Sequence, residues 1–131
     1  MTNYEQQRAH DAYEAADGEK SNRFIGKGGS KKVASKVASM ILANGFIGAM
    51  AFAISNERKG HEAVFEAILD HLKNSNRNYG IDTGNCRNFL KGISDAAVSA
   101  DVLRAVTDES LAYLNYLRRF AKPGTDEEAD E

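Results

Sequence analysis

The chain has 131 residues, which is enough for one domain with a hydrophobic core and too few for two. Its single cysteine excludes an intramolecular disulfide, and its first ten residues lack the basic and apolar regions of a signal peptide. The formal net charge is −2, but five of the 19 acids lie in residues 125–131, so the remainder is mildly basic. We therefore expect a cytoplasmic helical domain over residues 1–123 and a disordered acidic tail over residues 124–131.

The N-terminal segment has the apolar spacing of an amphipathic helix over residues 3–16. Thr2 and Glu5 fit a capping box, in which each side chain bonds a backbone N–H that the helix leaves unpaired. Gly18 is a suitable stop signal. These features predict the first helix.

Residues 20–36 are the most basic stretch, with six lysines and arginines, no acid and three glycines. The string GKGGSKK lacks the residue order of a phosphate-binding P-loop, so nucleotide hydrolysis is rejected. Such a stretch attracts an extended polyanion, because Lys and Arg displace the counterions of a phosphate backbone. A solvated linker whose lysines only maintain solubility is the alternative, and both interpretations stay open.

An apolar run occupies residues 33–56 and allows three interpretations. The Asn44-Gly45 pair is a hairpin signal, but its flanks lack the alternation and branched residues of strands. A membrane span over residues 37–54 would be rich in Ala and Gly, with Asn44 in its middle. We favour a buried helix in the middle of a bundle, with small residues packed closely against a neighbour. On this model, Gly45→Leu is expected to unfold or swell the domain.

The second half of the chain also has helical spacing. Residues 61–73 predict an amphipathic helix, residues 74–86 are rich in turn formers, and helical character returns at residues 87–93. Thr107 is a suitable N-cap for the last helix, with two acids in its first turn, and Pro123 follows its end. The sequence therefore predicts an all-α, single-domain bundle of about five to six helices around a central apolar helix.

No group of residues in the sequence has the spacing of a catalytic or metal site. His61 begins the string HEAVF, which lacks the second histidine of a zinc-protease helix. His10 and His71 fit ordinary surface or partly buried positions, and Cys86 has no paired base. We therefore expect no enzymatic activity, no metal and no cofactor.

Two segments resemble the small-subunit family of the type III-B CRISPR effector, the Cmr complex. Residues 41–56, ILANGFIGAMAFAISN, are similar to that family's Asn-Gly-Leu pattern followed by an apolar helix. Residues 103–122, LRAVTDESLAYLNYLRRFAK, are similar to its Tyr-Arg, Thr, Glu-x-Leu and aromatic-Leu-Lys-Arg-Phe-Ala signature. Phe46, Leu103 and Tyr116 stand where the family usually has Leu, Tyr and Trp.

The resemblance implies a non-catalytic subunit of an antiviral ribonucleoprotein, with cleavage performed by other subunits. Its partners would be other Cmr subunits, further copies of itself and the crRNA–target RNA duplex, with no membrane and no small-molecule substrate. Because the guide supplies specificity, the protein needs only to neutralise and position phosphates. The candidates for phosphate contact are the bases Lys31, Lys32, Lys36, Arg58, Lys59, Arg104, Arg118, Arg119 and Lys122. The alternatives are a type III-A (Csm) small subunit and a membrane-anchored helical adaptor.

Overall fold

The computed structural model describes residues 3–16, 29–75 and 79–121. Within these ranges the chain forms six α-helices and no strand, which confirms the all-α prediction. The helices are α1 (Tyr4–Ala16), α2 (Lys31–Asn44), α3 (Phe46–Ser55), α4 (Lys59–Asn74), α5 (Cys86–Ile93) and α6 (Ala100–Phe120). The acidic tail, Thr2, Gly18 and most of the basic stretch lie outside the described residues.

Short polar side chains begin four of the helices. In each case a side-chain oxygen accepts a hydrogen bond from a backbone N–H three residues later, and such caps contribute about 1 kcal/mol each. The capping residues are Asn3, Ser30, Asn85 and Ser99, with donor–acceptor distances of 3.1, 3.3, 2.8 and 3.2 Å. At α1 the cap is therefore Asn3.

The apolar run forms two helices, so the prediction of one continuous helix is wrong. Gly45 separates α2 from α3, with φ 85° and ψ 161°, a backbone conformation that is almost restricted to glycine. Its N–H donates to the carbonyl of Ile41 at 2.8 Å and ends α2. Its carbonyl accepts from the N–H of Ala49 at 3.0 Å and begins α3. In the described part of the chain, no helix is long and apolar enough to cross a membrane.

The expectation of close packing at Gly45 is also wrong. Gly45 is exposed, and a Cβ added there would meet no atom within 4 Å. Its backbone conformation, and not a neighbouring helix, accounts for the glycine at this position.

Helix α4 takes the central place that the prediction gave to the apolar run. Ten of its 16 residues are buried, compared with five of 10 in α3. At the core, the Phe46 ring packs edge-on against Phe65 and Phe89, with centroids 5.6 and 5.9 Å apart. The bundle thus forms around an amphipathic helix, while α3 lies partly at the surface.

Helix α6 is continuous through Thr107, so the prediction that a helix begins there is wrong. The Thr107 hydroxyl donates to the carbonyl of Leu103 at 2.8 Å, one turn earlier in the same helix. Ser99 is the actual cap. Helix α6 runs in the same direction as α1, because Arg8 contacts Glu109 and the later Tyr13 ring contacts Phe120, with centroids 5.8 Å apart.

The turn between α3 and α4 is a Schellman motif with a glutamate in place of the usual glycine. The N–H of Arg58 donates to the carbonyl of Ala53 at 3.0 Å, and the N–H of Glu57 donates to that of Ile54 at 3.2 Å. Glu57 has φ 51°, the left-handed conformation that strains an L-residue by about 1–2 kcal/mol. This turn determines where Arg58 lies.

We expect Gly45→Ala to lower the free energy of unfolding by about 1–3 kcal/mol, because alanine is strained at this backbone conformation. Chemical denaturation measures the change. Gly48→Ala is the matched control, since Gly48 lies inside α3 and an added Cβ makes an ordinary 3.6 Å contact with Asn44 Cβ. The control should gain up to about 1 kcal/mol from helix propensity. Equal losses in both variants would contradict the backbone explanation.

We expect Glu57→Gly to raise the free energy of unfolding by about 0.5–1 kcal/mol. The relief of left-handed strain exceeds the extra entropy that glycine gives the unfolded chain. Glu57→Ala removes the same carboxylate but keeps the strain, so it should show no gain. A gain of the same size in the alanine variant would mean that charge, and not conformation, is responsible.

Candidate nucleic-acid interface

Three predicted contact residues lie exposed on the first half of α2: Lys31, Lys32 and Lys36. The first turn of α2 contains no acid. Helix energetics favour acids over bases at this end by about 0.3–1 kcal/mol, because the helix dipole is positive there. The helix dipole therefore does not account for Lys31 and Lys32 in this first turn.

Arg58 and Lys59 lie at the junction of α3 and α4. Arg58 is half-buried, with its guanidinium carbon 5.5 Å from the centroid of the Phe52 ring, whereas Lys59 is exposed. Arg58 also lines the same groove as Lys36. The structure thus brings together two predicted residues that are separated by a full helix in the sequence.

The groove lies between α2, α3 and the start of α4 and has a volume of about 480 Å³. Both charged and apolar side chains line it. They are Lys36, Met40, Asn44, Gly48, Phe52, Arg58 and His61.

The predicted bases of α6 do not form a single site. Arg104 lies 14 residues before Arg118, which corresponds to about 21 Å along the helix. The Arg104 Nη1 lies 3.4 Å from Asp101 Oδ1, and the Arg118 Nη2 donates to Asn115 Oδ1 at 3.4 Å. Arg118 and the exposed Arg119 occupy the last turn, where the helix dipole favours cations.

Lys122 lies outside the described residues. RNA contact by any of the nine predicted bases stays a prediction, and the α2 and α3–α4 residues have the stronger structural argument.

Comparison with known protein families assigns the chain to a family. A family model described as CRISPR-associated protein (Cas_Cmr5) matches residues 4–123. The chain belongs to this family. It is thus a small subunit of the type III-B CRISPR–Cas complex, Cmr, which confirms the resemblance and decides against the type III-A alternative. Searches of curated proteins and of solved structures return no significant match.

The Cmr small subunit also contains a buried network of charges that joins α1, α4 and α6. Arg8 Nε and Nη2 donate to the two carboxylate oxygens of Glu109 at 2.7 and 2.8 Å. The His71 Nε2 lies 2.8 Å from Glu109 Oε2, and its Nδ1 lies 2.6 Å from Asp11 Oδ2. The Tyr113 ring stacks on the imidazole at 4.5 Å and 7°. Because each ring nitrogen faces a carboxylate, His71 is a doubly protonated imidazolium that donates to both.

The network changes the protonation of its members in a consistent way. Burial opposes the charge of His71, but hydrogen bonds to Asp11 and Glu109 outweigh it and raise the pKa of His71 above its usual 6.5. The hydrogen bond to Glu109 raises the pKa of Arg8. Burial raises the pKa of Tyr113, so its phenol stays neutral. Two cations and two carboxylates therefore balance inside the bundle.

The position of Glu109 relative to apolar residues in the sequence is a signal for this network that the predictions did not use. Glu109 lies three residues after Val106 and four before Tyr113, both of them core positions of α6. The prediction of a helix start at Thr107 instead places Glu109 in a first turn, where the helix dipole favours an acid. In the described residues, no group of three or more His, Cys, Asp or Glu residues could hold a metal ion.

We expect the stability of the subunit to fall as pH rises above about 6.5. With its raised pKa, His71 keeps a proton in the folded state that the unfolded chain releases near pH 6.5. Its contribution is complete below about pH 6.5 and disappears as pH rises through the folded-state pKa. Denaturation at a series of pH values measures this fall.

The variant His71→Gln should lose this part of the pH dependence and cost about 3–5 kcal/mol at low pH, because it leaves a buried carboxylate without its partner. His10→Gln is the control, since His10 is exposed and its Nε2 lies 3.9 Å from Glu14 Oε1. This variant leaves the buried network intact, so the fall in stability above about pH 6.5 should persist in it. An unchanged profile in His71→Gln would show that another group titrates.

Proposed function

We propose that this Cmr small subunit contacts RNA phosphates without reading base sequence. The observation that supports this most directly is the convergence of Lys36 from α2 and Arg58 from the α3–α4 turn on one groove. Lys31 and Lys32 are also exposed on α2, and Lys59 is exposed next to Arg58, so we assign them to the same RNA-contacting face. A polyanion that crosses this face would meet several cations in succession.

Phosphate contact suits this arrangement of residues. Lysines and arginines on a surface release condensed counterions from a nucleic-acid backbone, which favours binding of any sequence. In a guide-directed complex, base pairing with the crRNA supplies specificity, so a subunit that only positions phosphates is sufficient. The subunit then acts without catalysis of its own, and cleavage belongs to other subunits.

Assembly would supply the affinity that one copy lacks. We propose that several copies stack beside the crRNA-carrying backbone, together with the other Cmr subunits, and contact the crRNA–target RNA duplex in the cytoplasm. Each copy makes few phosphate contacts, so the isolated chain binds weakly, whereas linked copies gain from a high effective concentration. Membership of the Cas_Cmr5 family supports this arrangement.

We expect the triple variant Lys31→Gln, Lys32→Gln, Lys36→Gln to weaken RNA binding by at least about tenfold. Three lost phosphate contacts should also reduce the slope of log K against log salt by about 2, since each contributes about 0.7 on single strands. Titration of RNA at several salt concentrations, with the isolated chain and with the coexpressed Cmr assembly, measures both quantities. Equal copurification with the other Cmr subunits shows that the variant still assembles.

A second triple variant removes the same charge from positions that do not line the groove. Lys73, Arg87 and Lys91 are exposed on α4 and α5, and their replacement by Gln is the matched control. This control should change the affinity and the salt slope little. If both triple variants reduce binding equally, net charge alone explains the effect and the proposed face is wrong.

A further inference from the structure

The groove between α2, α3 and α4 is lined on two sides by residues that follow one another at a constant spacing of four in the sequence. Lys36, Met40 and Asn44 are spaced by four residues on α2, and Gly48 and Phe52 continue that spacing on α3. On one continuous helix these residues would form a single ridge. Because the chain turns at Gly45, they instead face a common space of about 480 Å³, which is within the usual range of ligand pockets, about 300–1,000 Å³.

An aromatic ring is partly exposed in this groove. Phe52 is 37% exposed, although most large apolar side chains of the described bundle are buried. The Arg58 guanidinium lies over one face of the ring, with its central carbon 5.5 Å from the centroid, and the His61 ring packs against Phe52 edge-on with centroids 6.2 Å apart. These contacts hold the ring in place, and a nucleobase can stack on the exposed part of the ring that Arg58 does not cover.

The positive charge of the groove favours an anionic ligand. Lys36 and Arg58 both line it, and none of the described residues that line it is acidic. Asn44 offers an amide that can both donate and accept hydrogen bonds at a base edge. Gly48 is exposed and has no side chain to fill the space between the walls. Two cations, one aromatic ring and one amide together match the phosphate, the base and the polar edge of a nucleotide.

We propose that the groove takes one unpaired nucleotide of single-stranded RNA, with the base against Phe52 and the phosphate between Lys36 and Arg58. This proposal rests on the proposed RNA-binding function and specifies that the RNA bound in the groove is unpaired. A base inside a duplex is stacked between its neighbours and cannot reach the ring, whereas an unpaired base can. The site therefore prefers single strands to duplexes, and it tolerates any base because every base has an aromatic face.

The variant Phe52→Leu tests the stacking contact, because leucine keeps an apolar side chain but removes the aromatic face. We expect about a 5- to 100-fold loss of affinity for a short single-stranded RNA, and loss of fluorescence quenching for the same strand with one 2-aminopurine. Phe52→Tyr keeps the ring and should retain both properties. Binding of a duplex of the same length should be unchanged in either variant.

The variant Gly48→Leu tests whether RNA binding needs the open volume of the groove, and it leaves Phe52 unaltered. A leucine there fills the groove and should weaken single-strand binding by a similar factor, while its helix propensity keeps the melting temperature at or above that of the wild type. Gly48→Ala, with only one added carbon, is the matched control and should bind nearly as well as the wild type.

The results separate this proposal from the broader one. If Phe52→Leu and Gly48→Leu bind single strands as the wild type does while the lysine triple variant loses binding, the nucleotide site is overturned and the phosphate-contact function stands. If the lysine variant also binds normally, both proposals fall. If a polyglutamate peptide displaces the 2-aminopurine strand as effectively as unlabelled RNA of equal charge, the groove recognises an acidic protein segment and the nucleotide proposal is overturned.

Discussion

The positive-φ backbone of Gly45 is the constraint on which the rest of the candidate interface depends. It ends α2 and begins α3 without an intervening loop, so the two helices of the apolar run are set at an angle. Phe46, the first residue of α3, can then pack into the core against Phe65 and Phe89. On the outer side, the same turn opens a groove between Lys36 and Phe52. One backbone conformation therefore serves both the hydrophobic core and the positive surface.

Charged side chains occupy two different environments in this small bundle, one buried and one exposed to solvent. Between α1, α4 and α6, Arg8 and His71 are fully matched by Glu109 and Asp11, at distances that leave each charge hydrogen-bonded. This arrangement specifies how the three helices meet, because a buried carboxylate that lost its partner would be costly. The lysines of α2, in contrast to these buried groups, are exposed at the surface. Charges inside the bundle fix the fold, and charges on this face remain in contact with solvent.

Much of the fold follows from local spacing in the sequence. The limits of α1 and α5 were predicted within one residue and those of α4 within two, because their apolar positions repeat at helical intervals. The break at Gly45 was not predicted, although the Asn44-Gly45 pair marks it. A glycine inside a helix costs only about 1 kcal/mol, so an apolar run does not distinguish a tolerated glycine from one with positive φ.

The candidate groove and the charge network could not be predicted from the sequence, because both depend on how the helices pack in three dimensions. Lys36 and Arg58 were each identified as basic, but their shared groove depends on the turn at Gly45 and on the Schellman motif at Glu57. Arg8 and Glu109 are 101 residues apart in the chain, so no local pattern joins them. The sequence shows which residues are charged but not which of them pair, because pairing depends on how the helices pack.

The contact between Tyr13 and Phe120 has a practical consequence for work with this subunit. Because α1 and α6 run in the same direction and these rings meet near both C-terminal ends, the chain leaves the two helices at neighbouring points. Tyr4 lies at the opposite end of α1, about 18 Å away along the helix axis. Probes attached at positions 13 and 120 are therefore neighbours in the folded bundle, whereas a probe at position 4 is separated from them by most of the length of α1.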